Sequence, residues 1–527
     1  MSQIENKNHD GELPANLQFP KDLHGVHVHF VGIKGTGMAA LVEIFFHNGA
    51  VVTGSDVKER FYTDEILEKL NIVPTEFSAS NITDDIQYVI YSSAYKLDVN
   101  PELIEATRRK LPCLMYTQAL GLYSSLAYSC GICGVHGKTS TTGLVGTILK
   151  EIDDIPSQIL AGSVINSFGG TCTYTSPLIS TVPEQEKKTK SIFVAETCEY
   201  QRHFMSFFPK KIILTSVESD HEDYYPTYDD IRDAFVDYIC KLPMFGELIY
   251  CADDPGAVET ALIAYNKRPD IHMVPYGVNA GGDYKLTFGI VQNERNEFSL
   301  GIFNKTLALK MPGKHEVTDA AAAVALVCQI LRYFGKHPAD YVEKIAKGLE
   351  NFSGGKRRSE IVRTFKTPKG NDVIVMDDYG HHPTAIKTTL EGYREFYKGR
   401  KIIIDFMSHT YSRTQALLDD FAASMDSADV VILHKIYSSA RENAEDFNIS
   451  GRTLYEKTIE HQKQAETKAS KHNAIYYTQE ILDAKSIAEM ELEKKLPPEY
   501  PDGYLFVTMG AGDNWKLGKE IFSGGNI

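Results

Sequence analysis

The chain lacks any apolar run long enough to cross a membrane. No window in its 527 residues approaches the roughly 20 apolar residues of a membrane-spanning helix. The opening from Met1 to Asp10 is polar and lacks the apolar core of a signal peptide. We therefore expect a cytoplasmic protein that has no membrane partner.

An excess of basic side chains is also missing. The 55 Lys and Arg residues are outnumbered by 70 Asp and Glu residues, which gives a net charge of -15. This balance argues against a nucleic-acid-binding protein that holds the phosphate backbone through a basic face. Any phosphate-bearing ligand must therefore be held by a local site.

Paired cysteines are scarce. Of the eight cysteines only Cys130 and Cys133 form a C-x-x-C pair. This spacing is also found in redox sites and in halves of zinc sites, but a structural zinc site would need a second pair. We therefore favour two ordinary strand residues over redox chemistry or half a zinc site. We expect the thiols to be reduced.

The length and composition predict several cores. At 527 residues the chain is too long for one, and the usual domain size suggests about three domains. Because 43% of the residues are hydrophobic, enough apolar surface is present to fill them.

The first segment has the pattern strand, glycine turn, helix. Val26–Val31 is a β-rich run, G-I-K-G-T-G-M follows, and Ala39–His47 is predicted to be helical. Further short strands are predicted at Val51–Thr53 and Tyr88–Tyr91. Alternation of strands and helices predicts a parallel, Rossmann-like sheet that binds its ligand at the strand ends.

The glycine spacing in this turn disfavours an NAD dehydrogenase. Gly32, Gly35 and Gly37 form G-x-x-G-x-G, which differs from the dinucleotide pattern G-x-G-x-x-G. What remains is an unobstructed turn that places backbone N–H groups and a helix N-terminus against a diphosphate. A UDP group would satisfy this turn as well as NAD.

The second segment carries a phosphate-binding loop. The strand Tyr128–Cys133 leads into G-V-H-G-K-T, and a helical stretch follows at Leu144–Lys150. In such a loop the backbone amides hold phosphates, Lys138 reaches the β and γ oxygens, and the Thr139 hydroxyl contacts Mg²⁺. The alternative is an ordinary strand-to-helix turn, because Ile132 stands where the Walker A pattern has its first glycine.

Acidic groups follow two further strands of this segment. Glu196 to Glu199 come after Ile192–Val194, and Asp220 to Asp223 come after Ile212–Thr215. Carboxylate and imidazole groups at neighbouring strand ends suit a divalent cation beside the loop. The alternative is a pair of solvated acidic loops.

The third segment, which begins after Arg357, again places polar groups at strand ends. Val373–Met376 leads to D-D-Y-G-H-H-P-T, and Lys401–Phe406 leads to S-H-T-Y-S-R-T. This arrangement is typical of a doubly wound sheet.

The order of the motifs resembles the Mur ligase family across nearly the entire chain. Alanine-adding members carry, in order, G-I-G-G-x-G-M, G-T-H-G-K-T, E-A-D-E, D-H-x-D, P-G-x-H-N-x-x-N, D-D-Y-G-H-H-P-T and H-R-Y-[ST]-R-T. Chance agreement of seven ordered motifs is negligible. The matching segments are Gly32–Met38, Gly134–Thr139, Glu196–Glu199, Asp220–Asp223, Pro312–Asp319, Asp377–Thr384 and His409–Thr414.

This resemblance implies an α/β fold of three domains. An N-terminal Rossmann-like domain (1–125) is expected to bind a UDP-sugar, and a central P-loop ATPase-type α/β domain (126–356) to bind ATP. A C-terminal Rossmann-like domain (357–527) is expected to bind the amino acid and the nucleotide.

Matching positions in the motifs give the expected site residues. For the UDP-sugar they are Gly35, Thr36, Gly37, Met38, Asp56, Ser92 and Ser93. For ATP they are Gly134, His136, Gly137, Lys138, Thr139, Ser140, His315 and Arg357, and for Mg²⁺ they are Thr139, Glu196 and His221. For the amino acid they are Tyr379, His381, His409 and Arg413. The expected catalytic residues are Lys138, Glu196, His221, His381 and Arg413.

The chain departs from the family pattern at three places. Glu316 and Asp319 stand where the family has asparagines, so adenine contacts are expected to be rearranged. Cys198 replaces an aspartate near the metal. Thr410 replaces an arginine, which leaves Arg413 as the expected clamp for the amino-acid carboxylate.

The implied activity is ATP-dependent joining of L-alanine to the lactyl carboxylate of UDP-N-acetylmuramate through an acyl phosphate, in peptidoglycan precursor synthesis. His381 or Asp378 would deprotonate the amine. The alternatives are the tripeptide-recycling ligase of the same family and a nucleotide-binding module without turnover. A monomer or homodimer is expected.

Overall fold

The structure is a computed structural model that describes residues 18–221, 224–437, 442, 444–465 and 474–522. Strands and helices alternate along the chain, and the described residues form four β-sheets. The polar opening Met1 to Asp10 lies outside the described residues, as do Glu222 and Asp223 of the second acidic motif.

The first sheet is parallel and has the strand order β2-β1-β3-β4. All five residues of its central strand are buried, as expected for a strand covered on both faces. This confirms the strand, turn and helix expected around the first glycine turn. The elements are β1 His27–Val31, α1 Thr36–His47, β2 Val51–Ser55, α2 Asp64–Lys69, β3 Tyr88–Tyr91, α3 Pro101–Arg108, β4 Cys113–Met115 and α4 Tyr116–Ser124.

The second sheet has seven strands in the order β11-β10-β9-β5-β8-β6-β7. Its strands pair in parallel except for β7, which is antiparallel to β6 at the edge. Cys130 and Cys133 are free, buried residues of β5, which confirms that they are ordinary strand residues. The elements are β5 Tyr128–Cys133, α5 Lys138–Ile152, β6 Ser157–Ile165, β7 Thr171–Thr175, α6 Lys187–Lys190, β8 Ile192–Glu196, β9 Lys211–Leu214, α7 Tyr228–Ile239, β10 Glu247–Cys251, α8 Pro255–Lys267 and β11 His272–Tyr276.

The helix after the phosphate-binding loop begins earlier than predicted. It starts at Lys138, directly after Gly137, whereas the sequence suggested Leu144. Gly137 has φ +79°, a left-handed conformation that glycine adopts without strain, so the chain turns into the helix within one residue. Thr142 lies in this first part of the helix, and its hydroxyl donates to the Lys138 carbonyl at 2.8 Å.

A three-stranded sheet of order β12-β13-β14 and two helices follow. Among the described residues no single helix is long and apolar enough to span a membrane, although α9 and the adjoining segment through α10, bent by 120°, satisfy length and composition together. The elements are β12 Leu286–Gln292, β13 Arg295–Leu300, β14 Leu307–Leu309, α9 Lys314–Tyr333 and α10 Val342–Asn351.

The last sheet has the order β15-β16-β20-β17-β18-β19 and is parallel except for its edge strand β15. Alternate residues of β16 belong to two separate hydrophobic clusters, Ile374 and Met376 to one and Val373 and Val375 to the other. Both faces are therefore covered, as in a doubly wound sheet. The elements are β15 Glu360–Lys366, β16 Asp372–Asp378, α11 Pro383–Phe396, β17 Arg400–Phe406, α12 Tyr411–Ala416, α13 Leu418–Ser424, β18 Val430–Leu433, α14 Gly451–Ala465, β19 Ala474–Tyr477, α15 Ile481–Leu492, β20 Gly503–Met509 and α16 Trp515–Glu520.

The chain divides into two compact units. The first runs to Thr287 and adds Ser299–Leu307 and Thr318–Ser353, so it contains the first two sheets. The second comprises Phe288–Phe298, Ala308–Val317 and the chain from Gly354, so it contains the last sheet.

Candidate active site

Strand register places three predicted UDP-sugar segments at one edge of the first sheet. Val31 pairs with Ser55 of β2 and with Tyr91 of β3. The next residues along these strands are the glycine turn, Asp56 and Ser92, so all three segments leave the sheet at its carboxyl edge. The predicted residues at this edge outside the glycine turn are Asp56, Ser92 and Ser93.

The amides of the glycine turn are already engaged within the protein. Gly32 and Ile33 donate to the Ser55 carbonyl at 2.9 and 3.1 Å. The Lys34 amide donates to the Asp56 carboxylate at 2.7 Å. These N–H groups therefore hold the turn together and are not available to a diphosphate.

In this segment, the groups suited to binding an anion are at the start of α1. Gly35 is its N-cap, and its amide donates to the Gly32 carbonyl at 3.2 Å. Thr36, Gly37 and Met38 form the first turn, whose N–H groups have no acceptor inside the helix. The positive end of the helix dipole adds to their attraction for a diphosphate.

A buried tyrosine connects this turn to the second sheet. A Cβ atom added at Gly37 would lie 2.8 Å from Tyr116 Cζ, so only glycine fits there. Burial raises the pKa of the Tyr116 hydroxyl, and the charge of Glu196 raises this pKa further. The glycine turn therefore packs against the Tyr116 ring, and Glu196 lies within electrostatic reach of its hydroxyl.

Glu196 lies beside the phosphate-binding loop. Its Oε2 accepts hydrogen bonds from the Thr139 hydroxyl at 2.9 Å and from the Gly162 amide at 2.8 Å. Carboxylate and hydroxyl oxygens are the ligands that Mg²⁺ takes from proteins, usually together with water and phosphate oxygens. The paired oxygens of Thr139 and Glu196 therefore fit a magnesium ion.

Lys138 is held by an ion pair with Glu199. Its Nζ lies 2.9 Å from Glu199 Oε2 and donates to the Val135 carbonyl at 3.2 Å. Burial alone would lower the pKa of Lys138, but the Glu199 carboxylate raises it above its usual value. Lys138 is consequently a permanent cation at the loop.

Glu199 was not among the predicted site residues. It is 2% exposed, and its Oε1 lies 3.5 Å from Nε2 of His221. Burial favours the neutral carboxyl, but Lys138 and His221 lower its pKa below the usual value. The signal was present in the sequence, because Glu199 is the last residue of the first acidic motif.

His221 has positive φ, +58°, and its ring packs against Tyr200 at a tilt of 48°, with centroids 4.8 Å apart. Burial lowers the pKa of His221, but its hydrogen bond to Glu199 and the Asp220 carboxylate raise it above the usual value. The acidic neighbours of His221 are thus Glu199 and Asp220, and Glu199 also pairs with Lys138.

The remaining loop residues are fixed by the strand ends beside them. The His136 amide donates to the Ser216 hydroxyl at 2.9 Å, and its ring pairs with Glu218. Ser140 is buried in the first turn of α5. Gly134, with φ +137°, leaves space that the side chain of Thr215 occupies.

Asp319, one of the departures from the family pattern, lies against the loop. A Cβ atom added at Gly137 would collide with the Asp319 carboxylate. The exchange from asparagine therefore places a carboxylate, 8% exposed, beside the phosphate-binding backbone.

In the second unit, Arg357 is fixed by the end of β16. Its Nε donates to Asp377 at 2.9 Å and its Nη2 donates to the Gly510 carbonyl at 2.6 Å. The guanidinium lies 5.3 Å from the centre of the Tyr379 ring. His315, also in this unit, lies 4.0 Å from Glu316 through its Nε2.

The two candidate bases have different surroundings. Asp378 is 5% exposed and accepts hydrogen bonds from the Ser359 and Gly380 amides, both at 2.8 Å. The His381 ring packs edge-on against Tyr379, with centroids 5.0 Å apart. Backbone amides thus occupy the Asp378 carboxylate, which favours His381 as the candidate base.

The predicted amino-acid residues of the next strand end are close to each other. His409 stacks on Tyr437 with ring centroids 6.0 Å apart. Burial and then the positive charge of Arg413 lower the pKa of His409, so its imidazole is neutral at pH 7. Arg413 is 8% exposed in α12, and Thr410, which precedes this helix, has φ +67°.

Family models match three consecutive parts of the chain. They are the Mur ligase family, catalytic domain (residues 27–128), the Mur ligase middle domain (132–327) and the Mur ligase, glutamate ligase domain (357–487). The chain belongs to the Mur ligase family.

Relatives of this Mur ligase match it over nearly its whole length. A UDP-N-acetylmuramate--L-alanine ligase from Treponema pallidum (strain Nichols) is 44% identical over 96% of the chain and 98% of the relative. One from Borreliella burgdorferi is 35% identical over 93% of the chain and 97% of the relative. A solved UDP-N-acetylmuramate-alanine ligase from Thermotoga maritima has a TM-score of 0.68 at 22% identity, covering 94% of this chain and 98% of that one. The three-domain α/β Mur ligase fold is therefore confirmed.

The predicted residues of the Mur ligase form one group in each compact unit. The predicted UDP-sugar segments, the phosphate-binding loop, Glu196 and His221 belong to the first unit, where Tyr116 packs against the glycine turn. His315, Arg357 and the amino-acid residues belong to the second unit.

Proposed function

We propose that this chain is an ATP-dependent ligase that joins L-alanine to the lactyl carboxylate of UDP-N-acetylmuramate. The observation that carries the proposal is that Tyr116 packs against the UDP-sugar turn at Gly37 and lies within electrostatic reach of Glu196, which accepts a hydrogen bond from Thr139 of the phosphate-binding loop. A carboxylate bound at the turn and the terminal phosphate of ATP could then meet. The names of the relatives, at 35 to 44% identity, support the same substrates.

The first step activates the carboxylate. Its oxygen attacks the γ-phosphorus of ATP, ADP leaves, and an acyl phosphate is formed. Lys138, kept cationic by Glu199, neutralises charge on the transferred group. Thr139 and Glu196 would hold Mg²⁺, which supplies further positive charge when bound.

Lys138 must exchange partners during this step. Its ammonium is paired with Glu199 and with loop carbonyls. A phosphate oxygen would replace some of these contacts, and Glu199 would then keep its hydrogen bond to His221.

The second step needs a neutral amine. His381 would take the proton from the ammonium of alanine, because the carboxylate of Asp378 is already occupied by backbone amides. Arg413 would bind the amino-acid carboxylate. The amine then attacks the acyl carbon, the amide forms and phosphate leaves.

A substrate panel tests the proposal. The purified chain is incubated with ATP, Mg²⁺ and UDP-N-acetylmuramate, and with alanine, glycine, serine or a tripeptide, while ADP and the product mass are measured. We expect the alanyl product and ADP in equal amounts. A tripeptide product would identify the recycling ligase, and no ADP with any amine would identify a binding module.

Cellular location and oligomeric state are the two remaining expectations. We propose a cytoplasmic enzyme, consistent with eight free cysteines. Light scattering of the purified chain would distinguish a monomer from a homodimer.

A further inference from the structure

A lysine stands inside the first glycine turn, where the family motif has glycine. The side chain of Lys34 is 8% exposed. Its Nζ donates to the carbonyls of Val57 and Glu59 at 3.0 and 2.9 Å and lies 3.3 Å from Asp64 Oδ1. A buried ammonium requires such partners, and here they account for its hydrogen-bonding capacity. Lys34 therefore faces away from a diphosphate and toward segment 57–64.

Two other hydrogen bonds tie the same segment to the turn. The Thr63 hydroxyl donates to the Lys34 carbonyl, and the Tyr62 hydroxyl bonds the Thr36 hydroxyl. Within the segment, the Phe61 amide donates to Asp64 at 2.7 Å. The position of segment 57–64 is consequently set by the glycine turn and by the first residue of α1.

The segment presents two aromatic rings to solvent. Phe61 is 44% exposed and Tyr62 is 42% exposed, although large apolar rings are usually buried. The Phe61 ring centre lies 5.9 Å from the Lys34 ammonium, so this ring packs against the same lysine that holds the segment. Tyr62 reaches the N-terminus of α1 through Thr36.

We propose that Tyr62 stacks on the uracil base of the UDP-sugar and that Lys34 is the positioning residue that fixes this ring. The inference deepens the proposed function and rests on it. The first turn of α1 is the anion site, so a bound diphosphate brings its nucleoside to the residues around Thr36. The exposed, hydroxyl-anchored ring of Tyr62 is the planar surface at that place, and bases stack on aromatic rings.

Binding of UDP, measured by calorimetry, tests the stacking without requiring turnover. Tyr62→Leu should weaken UDP binding roughly 10-fold, in line with the usual loss when a base-stacking ring is removed. Tyr62→Phe keeps the ring and should change it less than about 3-fold. ATP affinity should be unchanged in both variants, and its parallel loss would mark a structural role and overturn the proposal.

The positioning role is tested by kinetics. Lys34→Met should raise KM for the UDP-sugar several-fold while KM for ATP and kcat stay near normal, and Lys34→Arg should restore much of the loss. Lys58→Met is the matched control, because Lys58 is in the same segment but pairs on the surface with Glu76. An equal effect of the Lys34 and Lys58 variants would overturn the role of Lys34.

The outcomes separate this inference from the proposed function. Unchanged UDP affinity in Tyr62→Leu, with a wild-type chain that makes the alanyl product, would overturn the inference alone. A wild-type chain that binds UDP through Tyr62 but makes no amide would overturn the proposed function alone. A wild-type chain that does not bind UDP would overturn both.

Discussion

Lys138 is the residue whose charge the first chemical step needs most. Its ion pair with Glu199 keeps it cationic, and its position at the start of α5 points it to the loop. We expect Lys138→Ala to lower the rate of amide formation by roughly 100-fold or more, the usual cost of removing a group that stabilises transition-state charge. UDP affinity should not change. Amide formation is measured as ADP release dependent on both substrates.

Lys150 provides the control for this variant. It lies on the same helix, is exposed and donates to the Ser167 carbonyl at 3.0 Å. Lys150→Ala should keep wild-type turnover. Equal activity in Lys138→Ala and Lys150→Ala would remove Lys138 from the mechanism.

Arg413 is the corresponding residue for the amino acid. Because Thr410 occupies the place of a second arginine, the proposed function leaves a single guanidinium, that of Arg413, to bind the substrate carboxylate. We expect Arg413→Ala to raise KM for alanine at least 10-fold, since a charge-assisted bidentate contact is lost. KM for ATP should stay within about 2-fold. Steady-state kinetics with alanine and ATP varied separately measure both values, and Arg452→Ala, at an exposed position of α14, is the control.

The site residues differ in how far the sequence alone could predict them. Lys138 and Glu196 follow from motifs whose spacing fixes their local structure. The contacts of Glu199 could not be predicted from the sequence, because they depend on the fold, which brings Lys138 and His221 to this buried carboxylate. The choice between Asp378 and His381 was open for the same reason, since the hydrogen bonds from Ser359 and Gly380 that favour His381 depend on the fold.

At the scale of elements, one buried carboxyl joins α1 to β7. Glu43 of α1 is 2% exposed and accepts a hydrogen bond from the Cys172 amide at 3.2 Å. Burial raises the pKa of Glu43 to about 7, although hydrogen bonds from Thr173 and Cys172 oppose the rise. The contact between these two elements is therefore sensitive to pH.

The sign of this dependence follows from proton binding. The folded chain holds a proton on Glu43 between pH 4.5, the value without burial, and about 7, whereas the unfolded chain has lost it. The stability contributed by this proton is fully present below pH 4.5 and is lost as pH rises through about 7.

We therefore expect Glu43→Gln to gain stability relative to the natural chain as pH rises from 5 to 8, by on the order of 2 kcal/mol. Urea unfolding at several pH values measures this difference. Glu65→Gln, on the exposed face of α2, should show no such trend. A pH-independent difference for Glu43→Gln would contradict the raised pKa.

The elements themselves were largely predictable, and the exceptions have physical causes. Buried parallel strands are near-continuous apolar runs, so β1, β5 and β16 were recognisable. The early start of α5 was not, because Thr139, Ser140 and Thr141 are weak helix formers that tertiary contacts hold in the helix. The antiparallel edge strands β7 and β15 were missed since pairing direction depends on where the chain returns.

At the scale of the whole molecule, the excess of acidic residues argued against a basic binding face. The structure instead has two local features that are suited to phosphate groups. The net charge is -15, yet α1 offers a helix N-terminus and α5 a cationic lysine. The division into two compact units was not predictable. Length suggested about three domains, but the first two sheets belong to one unit because α1 packs on β6 and β7.

The two units suggest that the half-reactions can be separated. In the proposed mechanism, activation of the carboxylate uses Lys138, Thr139 and Glu196 of the first unit, whereas delivery of the amine uses His381 and Arg413 of the second. A small neutral nucleophile such as hydroxylamine needs no carboxylate clamp. With ATP and UDP-N-acetylmuramate but without alanine, it should therefore trap the acyl phosphate as a hydroxamate.

We expect Arg413→Ala to form this hydroxamate within about 3-fold of the wild-type rate, because its lost contact belongs to the amino acid. Lys138→Ala should form it at least roughly 100-fold more slowly, since no acyl phosphate is available to trap. Mass spectrometry of the UDP-sugar product measures both rates. Equal loss in the two variants would mean that Arg413 acts before the amine arrives, and the assignment of the half-reactions to separate units would then be wrong.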